Sequence, residues 1–341
     1  PIRQLWVNEV KIAISNKIGT AVDVEDIEIG LFDRITVNGL TLLDQNGETL
    51  LNVNKFSSKI SLTDLIKGKL TLRTVLLVDT KIHLYQNSAD SEPNYQFLSN
   101  LFSSNDNTTK HDTEFTIGSL IITRANLAYE KRWLEGNKDK FNFNNININN
   151  IHANLSIKAT ENEHINVRVR NFSCDENFGF SINKLQFALD INPDTIVVNN
   201  FTLKLPQSTI TVPNEVTIIN FKTQPSVEGE LKLERLHTED LTSLLFKEPR
   251  MHYILTGTLN CQAHSDSTTF KFKIKEVNDR MKVTLTGSTT NNKFAVNFNN
   301  CRLDSTIVEN ISQIVPEKFQ LIKNLGTCTL TGTAIANFET N

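Results

Sequence analysis

Long hydrophobic runs are missing from this sequence of 341 residues. The longest ones, such as residues 75–78, are far shorter than the roughly 20 apolar residues that a membrane-spanning helix needs. The four cysteines, Cys174, Cys261, Cys301 and Cys328, lie far apart, which excludes CxxC and zinc-binding patterns. We expect them to be small apolar residues facing a core. A disulfide such as Cys301 with Cys328 stays open as an alternative.

Catalytic and metal-binding motifs are absent as well. The seven histidines form no HxH or HxxxH pattern, and GxSxG, GxGxxG, Walker A and HExxH do not occur. The acidic cluster Asp23, Glu25, Asp26 and Glu28 lacks the spacing and the glycine of a calcium-binding EF-hand loop, so it indicates the solvent-facing side of a strand. The net charge of −3 lacks the basic excess of nucleic-acid-binding proteins. We therefore predict no enzyme, no catalytic residue, no metal, no cofactor and no nucleic-acid partner.

Phenylalanine is the abundant aromatic residue, with 20 Phe against 4 Tyr and 2 Trp. Phe has no polar group, so it suits wholly apolar surroundings. The low number of Tyr and Trp argues against a β-sandwich that binds carbohydrate through exposed aromatic platforms.

Apolar and polar residues alternate with a period of two in on the order of twenty segments, which is typical of strands with one apolar face. Connections between these segments are short, and a parallel crossover needs about a dozen residues or more, so antiparallel pairing is favoured. The clearest segments are 22–24, 27–29, 35–37, 165–169, 185–191, 201–205, 270–274, 281–285 and 294–298. The sequence thus predicts a mainly β fold.

The alternation often slips by one residue. Apolar residues are odd-numbered at 141 and 143, even-numbered at 146 and 148, and odd-numbered again at Ile151. A slip turns the side chains to the other face unless a bulge or tight turn absorbs it. Two of the Asn pairs in the sequence lie at such slips; the pairs include residues 144–145, 149–150 and 199–200. They predict bulges or hairpin turns and a strongly twisted, curving sheet.

Helical patterns are few and short. They cover residues 3–18, 94–102 and 238–246, and a weaker one at 304–324 is broken by Pro316. A Leu-Thr-Gly motif occurs at 255–257, 285–287 and 330–332. Because the first and last copies each follow a short helical segment, they suggest a repeated helix–strand unit.

About twenty amphipathic strands present a long apolar face that so few helices cannot cover. Three arrangements solve this problem: a sandwich, a closed barrel, or a trough whose apolar lining meets a lipid. The composition does not decide between them.

Spacing in the first hundred residues resembles the start of AsmA-like and TamB-type envelope proteins. The segments that carry the resemblance are 18–24, 27–32, 37–40, 44–47, 59–62, 65–70, 82–85 and 93–98. The resemblance implies an elongated, curled antiparallel sheet, or β-taco-like groove, in residues 19–341, with a sub-boundary in the polar stretch 87–113. It also implies an N-terminal helix over residues 1–18, which follows a membrane anchor missing from this sequence.

The resemblance further implies a periplasmic protein tethered to the inner membrane. Its groove would bind phospholipid and move it between inner and outer membranes without catalysis. The alternative is an envelope scaffold that contacts an outer-membrane barrel protein by adding strands at a sheet edge. Candidate groove-lining residues are Phe201, Leu203, Leu205, Phe270, Phe272, Ile274, Met281, Val283, Leu285, Phe294, Val296 and Phe298. For each of them, an ordinary place in a sandwich core is the other interpretation.

Overall fold

The protein is mainly β: the residues that the structure describes form 18 strands, and their pairing is predominantly antiparallel. This computed structural model describes residues 7–8, 11–12, 15–16, 18–30, 34–60, 72–98, 116–134, 142–159, 164–177, 179–245, 252–290, 293–312 and 326–337. Within these residues the helices are short, and no helix has the length and apolarity to cross a membrane. The predicted mainly β fold with an antiparallel sheet and a few short helices is thereby confirmed. The predicted sub-boundary at 87–113 lies partly outside the described residues and stays a prediction.

Two compact units make up the chain, residues 1–182 and 183–341. Unit 1 holds β1 (Val22–Asp23), β2 (Asp26–Ile29), β3 (Arg34–Leu43), β4 (Thr49–Ile60), β5 (Leu72–Gln86), β6 (Thr116–Lys131), β7 (Asn145–Ala159) and β8 (Ile165–Glu176). β1 and β2 both pair with β3, and each later strand pairs with the one before it. From β3 to β8, the strands of unit 1 therefore lie side by side in chain order.

One pair in unit 1 departs from the predicted antiparallel arrangement. β5 and β6 run parallel, with Val75 opposite Leu120 and Ile82 opposite Leu127. The connection over residues 87–115 is long enough for the chain to return to the same end of the sheet, as a parallel pair requires. Residues 96–98 of this connection are helical.

Unit 2 holds the remaining strands, and β9 begins just before the division between the units. The strands are β9 (Ser181–Ile191), β10 (Thr195–Lys204), β11 (Thr209–Thr211), β12 (Glu215–Ile219), β13 (Ser226–His237), β14 (Ile254–Ala263), β15 (Ser267–Glu276), β16 (Met281–Thr290), β17 (Lys293–Leu303) and β18 (Cys328–Asn337). β11 and β12 lie between β10 and β13 as two halves of one interrupted strand. From β13 to β18 every consecutive pair is antiparallel.

Two helices of unit 2 occupy connections at the same end of its sheet. α1 (Thr238–Leu245) joins β13 to β14, and α2 (Ser305–Ser312) lies between β17 and β18. They confirm the helical patterns predicted there. The later part of the pattern at 304–324 lies outside the described residues.

Left-handed residues interrupt neighbouring strands of unit 1 at the same level. Gly39 in β3, Asp79 in β5, Arg124 in β6 and Asn150 in β7 all have φ between 50° and 63°. The register skips Asp79 and Arg124 together, and it shifts at Asn150. The Arg124 side chain donates two hydrogen bonds to Asp79, of 2.6 and 2.9 Å. The register shifts beside Arg124 in β6 and Asn150 in β7 are bulges, which bend and twist these two strands.

The Asn pairs behave as the phase slips predicted. The register shifts between Asn149 and His152 and between Asn199 and Thr202. Asn150 and Asn200 both adopt left-handed φ angles, of 51° and 54°, which Asn tolerates better than most residues. The predicted bulge at 149–150 is therefore confirmed, and the 144–145 pair lies at a turn, where the Asn145 N–H donates to the Asn142 carbonyl. The bulge at 199–200 is a further finding of the structure.

The core of unit 1 lies at the end of the sheet near the first strands. Its buried members are Val7, Val22, Val24, Leu42 and Leu50. Partly buried residues from the 94–98 segment pack against them. A second cluster of Ala125, Ile151 and Cys174 lies at the line of bulges. All four cysteines are free, so the alternative of a Cys301–Cys328 disulfide is wrong. Cys174 and Cys301 are buried as predicted, whereas Cys261 and Cys328 are only partly buried.

Candidate functional site

Apolar side chains of unit 2 fall in rows across one face of its sheet. Residues that are directly paired on neighbouring antiparallel strands project from the same face. The rows are Leu185–Leu203–Ile210–Leu233–Gly257–Ile274–Val283, then Leu231–Leu259–Phe272–Leu285–Phe298, then Gly229–Cys261–Phe270–Gly287–Val296, and finally Ile191–Ile196–Ile218–Val227–Ala263–Thr268–Thr289–Phe294. We call these four rows the apolar face of unit 2.

Nine of the twelve predicted lining residues belong to these rows. They are Leu203, Phe270, Phe272, Ile274, Val283, Leu285, Phe294, Val296 and Phe298. Of the other three, Met281 pairs with Leu303 at the start of β16. Phe201 comes two residues before Leu203, and Leu205 follows the end of β10. The structure thus brings most of the predicted set onto one face, although the residues come from strands far apart in sequence.

The apolar face is only partly shielded from solvent. Val296 and Leu205 are buried, with 7% and 3% exposure, whereas Phe294 is 37% exposed. The other predicted residues are partly exposed. The rings of Phe270 and Phe294 stack with their centroids 6.3 Å apart. In the described part of the chain, therefore, no element seals this face as a second sheet seals a sandwich core.

The glycines of the Leu-Thr-Gly motif lie in different surroundings. A Cβ on Gly257 would lie 2.0 Å from the backbone oxygen of Lys273, so the backbones of β14 and β15 approach closely there. A Cβ on Gly287 would lie 2.2 Å from the ring of Phe270, which covers this glycine. Gly332 has open space around it among the described residues. The repeated unit therefore stays a prediction.

A buried carboxylate closes the apolar face at the end of β15. Glu276 follows Phe272 and Ile274 on the same side of the strand and has 0% exposure. It accepts hydrogen bonds from the backbone N–H groups of Asn278 and Arg280, at 2.8 and 3.2 Å. The Asn278 amide and the Arg280 guanidinium also donate to it, at 3.0 and 3.1 Å. Burial opposes ionisation, but these donors outweigh it and hold the pKa of Glu276 below its usual value.

Aromatic and helical residues complete this Glu276 cluster. The Arg280 guanidinium lies over the ring of Tyr253, 5.2 Å from its centroid. Asn310 of α2 donates a hydrogen bond to the hydroxyl of Tyr253, which is itself buried. Ile307 and Val308 of α2 are 2% exposed. The cluster thus ties α2 and the 277–280 turn to the end of the sheet.

Unit 1 contains a cluster built from the same parts. Asp44, 2% exposed, accepts hydrogen bonds from the backbone N–H groups of Asn46 and Glu48 at 2.9 Å. The Asn94 amide donates to it at 3.1 Å, and Asn46 donates to the hydroxyl of Tyr85. Burial opposes ionisation of Asp44, but these hydrogen bonds lower its pKa. Burial, together with Asp44, raises the pKa of Tyr85 to about 12.

Arg132 fixes this unit 1 cluster from the solvent side. Its guanidinium lies 3.6 Å from the Tyr85 ring centroid and donates two hydrogen bonds of 2.8 Å to Glu48. These bonds hold the pKa of Glu48 below its usual value. Arg132 stays exposed while it makes these contacts. Sequence reasoning missed the pairing because Glu48 and Tyr85 are distant in the chain.

A cavity of about 620 Å³ opens on the opposite, polar face of unit 2. Its lining includes Thr217, Glu228, Glu230, Asn260, Gln262, Thr269, Lys271 and Thr286. These residues alternate with the apolar rows, so their side chains point away from the apolar face. Of the predicted lining residues, Phe270 alone borders this cavity. Gly229, Cys261 and Gly287 of the same apolar row border it as well, so the cavity adjoins the apolar face along this row.

Titratable side chains do not gather into a metal site in the described part of the chain, where no group of three or more His, Cys, Asp or Glu could hold a metal ion. Asp23 of the acidic cluster forms an ion pair with Lys11.

Comparisons with known proteins identify no relative: no protein-family model, no curated protein and no solved structure matches this chain.

Proposed function

We propose that unit 2 binds the acyl chains of phospholipid along its apolar face. The observation that carries the proposal is the register: Phe272, Leu285 and Phe298, and the rows beside them, form a continuous apolar surface that stays partly exposed. Eight strand positions, from β9 to β17 with β11 and β12 sharing one, spread these rows over about 34 Å at a spacing of ~4.8 Å. Contiguous exposed apolar area of this extent is typical of a binding surface.

A lipid that moves through water exposes its acyl chains, which is costly in free energy. Exposure of an acyl chain costs about 0.8 kcal/mol per CH₂, so a chain of about 16 carbons costs roughly 12 kcal/mol. An apolar face that covers one side of the chain removes a large part of this cost, while the headgroup stays in water. Such binding needs no catalytic residue and no nucleotide.

The apolar face has a polar boundary in the direction of the strands, which favours acyl chains that lie across several strands. The Glu276 cluster stops the apolar positions of β15 at one end, so a chain that ran beyond Ile274 would meet a buried carboxylate. We propose further that the protein is of the AsmA-like and TamB type. It would then act in the periplasm, tethered to the inner membrane, and carry phospholipid between the inner and outer membranes.

A second candidate function rests on the exposure of β18. In the described register β18 pairs with β17, and its Leu330 and Ile335 are 51% and 56% exposed. Strands with such exposure can accept an added strand. This observation favours the scaffold alternative, in which β18 pairs with a strand of an outer-membrane barrel protein.

Matched charge substitutions on the two faces of β17 test the lipid proposal. Phe294→Asp adds one negative charge to the apolar face, and Asn297→Asp adds one to the opposite face of the same strand. Binding of a phospholipid with a fluorescent acyl chain is measured in detergent-free buffer, together with the melting temperature. We expect Phe294→Asp to weaken binding at least tenfold with little change in melting temperature, because Phe294 is already 37% exposed.

Asn297→Asp is expected to bind like the unchanged protein. Equal binding by both variants would reject the apolar face as the lipid site. Unfolding of Phe294→Asp alone would place this residue in a sealed core and favour the sandwich interpretation. If lipid binding fails but deletion of residues 328–337 abolishes pairing with a barrel protein, the scaffold function is favoured.

A further inference from the structure

Three cations lie directly opposite one another across β15, β16 and β17. Lys275 pairs with Lys282, and Lys282 pairs with Arg302. Lys271 and Lys273 project from the same side of β15 as Lys275, two residues apart. All five side chains are exposed, on the face opposite the apolar rows. We call these five residues the basic strip.

This arrangement is unfavourable by itself. Like charges that face each other on neighbouring strands destabilise a sheet. Some other cations of the chain lie on carboxylates, as Arg124 does on Asp79 and Arg280 on Glu276. The described residues offer no such ion pair for any member of the basic strip. A row of unneutralised cations on an exposed sheet therefore indicates a binding partner that supplies the negative charge.

We propose that the basic strip docks unit 2 on an anionic lipid bilayer. The strip lies on extended strands, so its charges form a shallow patch that fits a flat surface rather than a pocket. Anionic phosphates of lipid headgroups complement it, and each Lys or Arg near an anionic membrane adds roughly 1 kcal/mol. The strip is on the other side of the sheet from the apolar rows, so this docking does not depend on acyl-chain binding.

A membrane is favoured over nucleic acid as the polyanion. The chain has a net charge of −3, whereas nucleic-acid-binding domains carry a basic excess. Stacking on bases also requires aromatic side chains. Around the strip, the exposed positions of β15 and β16 carry Lys, Thr and Ser, and the Phe residues face the other way.

Neutralisation of the opposed row tests this proposal. The triple variant Lys275→Gln, Lys282→Gln, Arg302→Gln is compared with a control triple at exposed positions of unit 1, Lys55→Gln, Lys59→Gln, Lys158→Gln. Co-sedimentation is measured with phosphatidylcholine vesicles that contain about 30 mol % phosphatidylglycerol, at about 0.1 M and about 0.5 M salt. Melting temperature and binding of the fluorescent phospholipid are measured alongside.

We expect the row variant to bind anionic vesicles about 100-fold more weakly, since three cations at ~1 kcal/mol each amount to about two decades. Higher salt should also weaken the binding of the unchanged protein to anionic vesicles. Millimolar inorganic phosphate should not compete with the vesicles for the protein. The melting temperature should stay level or rise, because the row's repulsion is removed.

Binding of the fluorescent phospholipid should be unchanged in the row variant, which separates this proposal from the lipid-binding one. Equal losses in both triples, or tight binding to neutral phosphatidylcholine vesicles, would overturn the proposal. Competition by inorganic phosphate would point to a free anion, and stronger binding to single-stranded DNA than to vesicles would point to a nucleic acid. Either result would reject membrane docking.

Discussion

Removal of the buried Glu276 carboxylate should destabilise unit 2 strongly. Its side chain is fully buried and accepts from two backbone N–H groups, the Asn278 amide and the Arg280 guanidinium. Glu276→Ala leaves these donors without their acceptor. Truncation of one partner of a buried ion pair costs about 3–5 kcal/mol. Because the Arg280 side chain is 36% exposed and regains water, we expect a loss of about 3 kcal/mol in the free energy of unfolding.

The shape-matched Glu276→Gln should cost less, about 2 kcal/mol, because one oxygen acceptor remains. The control is Glu228→Ala, an exposed glutamate that accepts a hydrogen bond from Gln262, for which we expect a change within about 0.5 kcal/mol. Urea unfolding followed by circular dichroism measures all of these variants.

The pH dependence gives this reasoning an independent check. The pKa of Glu276 is lower in the folded protein than the ordinary value of 4.5. The ionised form therefore stabilises the fold fully above that ordinary value, and this contribution is lost as the pH falls through the lower folded pKa. The difference between the unchanged protein and Glu276→Gln should be largest near neutral pH and shrink in acid below 4.5. A loss under about 1 kcal/mol for Glu276→Ala, or a difference that stays constant into acid, would refute the account.

Two further predictions concern backbone packing and the unit 1 cluster. Gly257→Ala should lower the free energy of unfolding by about 2 kcal/mol or more, because the new Cβ meets the backbone of β15 at 2.0 Å. Gly326→Ala is the control, since Gly326 has open space around it, and it should leave the free energy of unfolding unchanged. Thermal unfolding of both variants tests this prediction. Arg132→Lys should lower the free energy of unfolding by about 1–2 kcal/mol, because Lys cannot make the paired hydrogen bonds or stack on Tyr85. Arg168→Lys, at an exposed position, should leave it unchanged. Equal melting temperatures of the two variants would contradict this prediction.

The sequence predicts the strands and the apolar face well because side-chain alternation is a local property. The alternation of Phe270, Phe272 and Ile274 predicts one apolar face of β15, whichever strands lie beside it. The bulge at Asn150 is equally local, since the slipped phase and the Asn pair at the slip are both visible in the sequence.

Features that depend on distant partners could not be predicted. The parallel pairing of β5 with β6 joins strands that are far apart in sequence, and no periodicity encodes it. The buried carboxylates and the Arg132 stack join residues from separate strands. Nothing in the sequence around Asp44 or Glu276 predicts that these carboxylates are buried.

The most direct test of acyl-chain binding is mass spectrometry of lipid extracted from the protein after purification without detergent. The account predicts at least one phospholipid per chain, and a clear loss of it in Phe294→Asp but not in Asn297→Asp. A stably folded protein that carries no lipid, and acquires none from vesicles, would contradict it.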